Sequence, residues 1–287
     1  MMTAKTISIS DALLTARKTG RALAGFPGEL PTNLEAAYAV QMRSVGLFGD
    51  QVIGWKVGGI APQFAEQFGA KRLAGPIFER AVKTVANNET ITMPAFVGGF
   101  AAMEAEYVVK LGELPDRDVN IDDIINLVDA VYIGAEIASS PMIMVNDLGP
   151  MSIISDFGNN NGMAIGPEIP KDTDFSQHAV SVVIDGDLAG EKPTGIGEAG
   201  PFGAVRFLIN HLRAIGYPLP AGSYVSTGAV SGVHQTEIGS HSHIKFDGLG
   251  EFFIDLTPPN LIQALGEIYV SQDLSGDPPR IDGRHRQ

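Results

Sequence analysis

Residues 103–111 read Met103-Glu104-Ala105-Glu106-Tyr107-Val108-Val109-Lys110-Leu111. β-Branched and aromatic residues give this stretch the composition of a strand. Side chains alternate between the two faces of a strand, so Glu104 and Glu106 share one face and Ala105 points to the other. Like charges side by side repel, and in an apolar segment they are costly unless something positive binds them. A hard divalent cation meets that need, since Mg²⁺ takes a few carboxylates and keeps positions open for water and substrate. Glu136, in Val131-Tyr132-Ile133-Gly134-Ala135-Glu136-Ile137, lies in an equally apolar context. Spacing alone leaves a second reading open, in which all three are solvated charges on exposed faces of a strand and a helix.

Upstream of this stretch the chain reads as helical. Ser10-Asp11 is expected to cap a helix running to about Ala24. Thr32-Asn33-Leu34-Glu35 has capping-box spacing before a second helix, which Gly49 and Asp50 end. Residues 51–57 read as a short strand carrying the only Trp, Trp55. Residues 61–69 read as a short helix or lid, and residues 73–79 as a loop. Residues 121–139 read as a helix that stops before Pro141. Farther on, strands dominate. Residues 178–184 followed by Asp185-Gly186 give a hairpin signal. Residues 202–215 form an amphipathic helix with Gly216 as its stop. Residues 223–227, 243–246 and 252–256 read as strands, and residues 258–270 as a closing helix.

Helices first and hairpin-linked strands later, without regular strand–helix alternation, give the α+β class. The expected organisation is a helical region with a lid segment over residues 1–85, a β-rich catalytic core over 86–270 and a tail over 271–287. Gly195-x-Gly197-x-x-Gly200 has dinucleotide-site spacing, but it sits in a loop and no βαβ unit surrounds it, so it is set aside.

Composition narrows the function classes. The chain has 287 residues, and 20 Lys+Arg against 33 Asp+Glu leave a formal charge of −13. That balance argues against nucleic acid as a partner, because phosphate contacts need a basic face. With no Cys there is no disulfide framework, iron–sulfur cluster or thiolate nucleophile. No stretch approaches the roughly 20 apolar residues of a membrane span. A cytoplasmic protein without a membrane partner is expected.

Several segments, in order, resemble the 2-keto-4-pentenoate hydratase and 4-oxalocrotonate decarboxylase family of the fumarylacetoacetate hydrolase superfamily. They are Gly54-Trp55-Lys56-Val57-Gly58, Glu104-Ala105-Glu106, Gly134-Ala135-Glu136-Ile137, Asp156 through Gly166, Gly195 through Gly200 before a helix, and Ser226-Thr227-Gly228-Ala229. The resemblance implies a helical N-terminal part followed by a β-rich, barrel-like core, assembled as a homo-oligomer. It implies Mg²⁺ or Mn²⁺ bound by Glu104, Glu106 and Glu136, and an active-site role for Lys56. It also implies substrate contacts at Thr227 and Gly228, with Phe78 and Asn159 as further candidates. The small-molecule substrate implied is a 2-oxo or 2-hydroxy-dienoic acid from the breakdown of ring compounds. A 2-oxo acid suits such a site, because its carboxylate and 2-oxo oxygen can chelate one cation. The expected reaction is addition of water to a 2-hydroxy-2,4-dienoate. The alternatives are decarboxylation of a 2-oxo-enedioate, C–C hydrolysis of an acylpyruvate, or a non-catalytic partner subunit.

The chain departs from that family in one place. Shortly after the Lys56 strand the family carries an aspartate suited to proton transfer, whereas this chain reads Gly69-Ala70-Lys71-Arg72-Leu73-Ala74-Gly75-Pro76-Ile77-Phe78. Glu66 and Glu79 flank the gap, and both are expected to be surface charges. Asn159-Asn160-Asn161 is either a source of amide donors or a turn. His241 and His243 have same-face spacing on a strand, and His234 follows the Thr227-Gly228 segment; all three rank below the glutamates as ligands.

Overall fold

The computed structural model describes residues 3–259. Two helices open the chain, α1 (Ala4–Thr19) and α2 (Leu34–Phe48). The cap of α1 is Thr3, whose hydroxyl accepts from the Thr6 amide, so the expectation at Ser10-Asp11 is corrected. Ser10 is instead buried mid-helix against the Ser44 hydroxyl of α2, 2.8 Å away. Gly20, in the left-handed region at φ 64°, stops α1 before Ala24. Asn33, and not Thr32 of the expected capping box, caps α2 by accepting from the Ala36 amide, and Gly49 ends the helix as expected.

The strands form two mixed sheets. The first holds, in spatial order, β2 (Arg72–Phe78), β1 (Val52–Gly59), β10 (Tyr224–Ser226), β5 (Phe100–Leu111), β6 (Val128–Ser140), β7 (Asn160–Ile169) and β3 (Val82–Thr84). The short β11 (His234–Gln235) also pairs with β5. The second sheet runs β4 (Thr90–Pro94), β13 (Gly250–Thr257), β12 (His241–Phe246), β8 (Ala179–Ile184) and β9 (Asp187–Pro193). Strands from both sides of residue 85 therefore share one sheet. Three more α-helices lie among the described residues: α3 (Pro62–Phe68), α4 (Pro150–Ser155) and α5 (Pro201–Ala214).

The main core lies between the sheets and beneath α5. Met103, Ala105, Tyr107 and Val109 of β5 meet Val182 of β8, Ile244 and Phe246 of β12, and Phe252 and Ile254 of β13. Val205, Leu208 and Leu212 of α5 close it. Strand alternation then sends the even-numbered side chains of β5 to the opposite face. There Phe100 and Ala102 pack with Ile9 and Leu13 of α1 and Val40 of α2, and Val108 packs with Ile77, Met163 and Ile165. Between those two apolar clusters stand Glu104 and Glu106.

Two expectations are corrected here. Residues 121–139 are not one helix: Ile121–Leu127 is a 3-10 segment and Val128–Ser140 is the strand β6. Strand β6 pairs with β5 on one side and β7 on the other and is buried on both faces. A strand covered on both faces shows no alternation of polar and apolar residues, which removes the cue. Residues 73–79, expected as a loop, lie mostly in β2, antiparallel to β1. Gly75 and Pro76 mimic turn residues, but β2 is an edge strand, where a missing Pro N–H costs nothing. The expectation for residues 258–270 and the tail falls almost wholly outside the described residues.

Candidate metal centre

The register of β5 on β6 sets Glu104 directly opposite Glu136 and Glu106 opposite Gly134. Directly opposed residues share a face. The three carboxylates therefore converge, each offering an oxygen within 4.8 Å of the others. Glu106 and Glu136 are fully buried and Glu104 is 5% exposed. No other group of three such ligands occurs among the described residues.

Two of the carboxylates are anchored by hydrogen bonds through one oxygen. Glu106 Oε2 accepts from the Ser226 hydroxyl at 2.5 Å and the Gly228 amide at 2.8 Å. Glu136 Oε1 accepts from the Asn160 side-chain amide at 3.0 Å. Glu106 Oε1 and Glu136 Oε2 are buried and receive no hydrogen bond. Lys56 Nζ lies 3.3 Å from Glu136 Oε2 as an ion pair. Burial pushes the Glu104 carboxyl up to about 7, with Lys56 pulling against it and Glu136 adding to it. Glu106 is raised well above the ordinary carboxylate range, first by burial and then by Glu136 and Glu104. Three buried carboxylates that repel one another, with Glu106 Oε1 unpartnered and one ammonium set against them, fit a divalent cation such as Mg²⁺ or Mn²⁺.

Lys56 projects from β1 and is 4% exposed. Burial alone would lower its pKa, but Glu136, Glu104 and Glu106 outweigh that and carry it up to about 12. Its Nζ donates to the Gly158 carbonyl at 3.0 Å and to Asn159 Oδ1 at 3.3 Å. Both acceptors belong to an unusual turn. Phe157, Gly158 and Asn159 all have φ between 55° and 66°, a left-handed run of which two residues carry side chains. Such residues cost roughly 1–2 kcal/mol each, so the surroundings must hold the turn in place. It packs directly over Gly75, where a Cβ would stand 2.2 Å from the Phe157 carbonyl oxygen. Gly75→Ala is expected to push the turn off Lys56 and destabilise the protein by about 1–3 kcal/mol. Thermal unfolding of the purified variant measures this, and an unchanged Tm would contradict the packing described.

The other expected site residues divide. Asn159 joins the centre through Lys56, and its Nδ2 donates to Asn146 Oδ1. The Thr227 hydroxyl donates to the Tyr107 carbonyl, and Gly228 N–H holds Glu106. The Phe78 ring lies apart, packed against Phe48 and Phe157 with centroids 4.3 and 5.0 Å away. Glu66 and Glu79 are exposed. Arg72 donates to the Glu198 carbonyl, and Lys71 is exposed. His241 and His243 lie on the other sheet, hydrogen-bonded to Asp255 and Glu251 and stacked on Phe253. His234 stands opposite Met103, so strand parity puts it on the face away from the glutamates. Two surface hollows of about 320 and 650 Å³ include none of Glu104, Glu106 and Glu136 in their walls. Donor chemistry locates this site, and cavity size does not.

Asp156, Asn160 and Ser226 lie in segments that the sequence reading singles out without giving them a role in this assembly, and Arg17 is not singled out at all. One signal points toward Arg17. Ile9, Leu13 and Arg17 recur every four residues on α1, placing a charge on its buried stripe.

The fold is α+β and matches that of solved metabolic enzymes. A 4-oxalocrotonate decarboxylase from Pseudomonas putida G7, solved with magnesium and adipate, superposes with a TM-score of 0.71 at 19% identity over 89% of this chain and 99% of its own. A fumarylpyruvate hydrolase from Pseudomonas aeruginosa, with Mn²⁺ and pyruvate, gives a TM-score of 0.52 at 21% identity over 71% of this chain and 89% of its own. In sequence the chain is similar to a 2-keto-4-pentenoate hydratase of Burkholderia vietnamiensis, 24% identical over 254 residues, which is 85% of this chain and 94% of that one. It is equally similar to 2-keto-4-pentenoate hydratase 3 of Pseudomonas putida, at 24% identity over 84% of this chain and 91% of that one. No family model matches the chain.

Proposed function

We propose that the protein is a metal-dependent hydro-lyase that adds water to a 2-hydroxy-2,4-dienoate. The observation that carries this reading is the convergence of Glu104, Glu106 and Glu136 on one buried face beside Lys56. A divalent cation held by those three carboxylates supplies Lewis acidity toward the carboxylate and 2-oxo group of the substrate. The remaining chemistry belongs to the chain. In the metal-free chain the three carboxylates hold Lys56 in its protonated form, and its Nζ beside Glu136 is placed to donate a hydrogen bond and to transfer a proton. Its long contact to Asn159 is the one a substrate oxygen would replace, which leaves the Asn159 amide to orient the substrate. Ser226 and Gly228 hold Glu106, and Thr227 ties its loop to β5 through the Tyr107 carbonyl. No helix among the described residues is long and apolar enough to cross a membrane. The protein is proposed to work in the cytoplasm as a homo-oligomer.

The test is proton NMR of the purified protein with Mg²⁺ and 2-hydroxypenta-2,4-dienoate, alongside a 2-oxo-hexenedioate. The expected product from the dienoate is a 4-hydroxy-2-oxo acid. Loss of CO₂ from the diacid alone would replace hydration with decarboxylation. No turnover of either, with metal bound, would remove the hydratase reading and point to an acylpyruvate substrate or a non-catalytic subunit.

A further inference from the structure

Arg17 reaches the metal centre from α1 without touching the glutamates. Its side chain is 5% exposed and that of Asp156 is fully buried. The guanidinium forks onto the Asp156 carboxylate, with Nε 2.5 Å from Oδ1 and Nη2 3.0 Å from Oδ2. It also donates to three backbone carbonyls: Asp156 at 2.9 Å, Asn160 at 2.9 Å and Ser139 at 3.3 Å. The Phe157 and Phe96 rings lie 5.1 and 5.5 Å from its central carbon.

Asp156 and Asn160 are the residues immediately before and after the left-handed turn at 157–159. One planar cation therefore clamps both ends of the strained segment and stacks on its first side chain. The turn's Gly158 carbonyl holds Lys56, and the Asn160 amide holds Glu136. Ser139 lies three residues beyond Glu136 on β6. Lysine could not reproduce this, because its ammonium is a point charge and not a rigid fork. We propose that Arg17 is a positioning residue that fixes Glu136, through Asn160, and Lys56, through Gly158, for metal binding. This rests on the metal reading given above. It assigns the N-terminal helix a role in the centre beyond covering the sheet.

Hydrogen-bond partners one step removed from a metal typically change affinity by about 10- to 100-fold when lost. Asn160 is such a partner of Glu136, and Arg17→Lys acts one step farther out, so this variant, confirmed folded by circular dichroism, is expected at the lower end, with Mn²⁺ bound about 10-fold more weakly by calorimetry. Asn160→Ala is expected to weaken it as well. The double variant Arg17→Lys/Asn160→Ala should be weakened by less than the product of the two single effects, because both disturb the Asn160–Glu136 contact. A purely structural role would lower the Tm and leave the affinity of the folded protein unchanged. Wild-type affinity in folded Arg17→Lys, or effects that multiply independently, would overturn the proposal. Should Arg17→Lys fail to fold, Arg17→Met/Asp156→Leu removes the buried pair together and leaves no orphaned charge. Weakened Mn²⁺ binding by that folded variant supports the proposal, and failure of both to fold overturns it. Absence of Mn²⁺ binding by the wild-type protein is a separate result, which would sink the metal reading and this inference with it.

Discussion

Glu106→Gln is expected to raise the Tm of the metal-free protein and to erase the Tm increase that Mg²⁺ gives the wild type. The substitution keeps the shape of the side chain. Its amide oxygen still accepts from Ser226 and Gly228, and its NH₂ replaces the unpartnered Oε1. What disappears is an ionisable carboxyl whose charged form the buried metal-free site disfavours, as the direction of the Glu106 shift records. Saturation at about 100 times Kd stabilises a protein by roughly 2.7 kcal/mol. For a chain of this size that is about 4 °C in Tm. The wild type should show such a rise and the variant should not. A Mg²⁺-induced rise of wild-type size in Glu106→Gln would remove this residue from the proposed ligand set.

The pH dependence of the metal-free protein follows from the same burial. Glu104 titrates at about 7 in the folded chain against an ordinary 4.5. The folded state therefore binds a proton that the unfolded state has released between those values. Stability from this group is complete below pH 4.5 and is lost as the pH rises through 7. Glu106 acts in the same direction. Thermal unfolding in EDTA should show the wild-type Tm falling across this window and Glu106→Gln falling less. Metal binding needs the deprotonated carboxylates, so the Mg²⁺-induced rise should grow as the pH increases.

Much of this site is legible in local sequence pattern. The alternation of Glu104, Ala105 and Glu106 places two ligands on one face, and the fold keeps that arrangement because Met103, Ala105 and Tyr107 fill the core on the other. Gly49, the Asp185-Gly186 hairpin and the amphipathic α5 are legible for similar local reasons. Other elements are hidden by physical causes that lie outside local pattern. Strand β6 reads as a helix because both its faces are buried. That reading sets Glu136 on an exposed helix in one alternative, when it is fully buried opposite Glu104. Strand β2 is masked by Gly75 and Pro76, which answer to a close neighbour and a sheet edge and not to a turn. The Arg17 clamp joins residues more than 120 positions apart. Only the charge on the apolar stripe of α1 hints at it.

Lys56→Met is expected to act on the metal-free protein with the opposite sign. Lys56 is the cation beside three buried carboxylates, and its pKa of about 12 exceeds the ordinary 10.5. A raised lysine stabilises the fold fully below its unfolded value, hence throughout the neutral range, and that contribution fades only as the pH climbs through 12. Removing one partner from a buried charge cluster typically costs about 3–5 kcal/mol. The metal-free variant should lose that much at pH 8. It should lose less at pH 5, where Glu104 already carries its proton. Mg²⁺ should restore most of the loss, because a divalent cation replaces the missing positive charge and no longer competes with an ammonium 3.3 Å from Glu136. Turnover should fall by about 10²–10⁴, the usual range for a positioned proton donor, even with the metal bound. Glu106→Gln and Lys56→Met would then both be inactive for separable reasons, one stable without its metal and one rescued by it. Wild-type turnover in Lys56→Met would confine the lysine to balancing charge and assign the proton transfer to another residue.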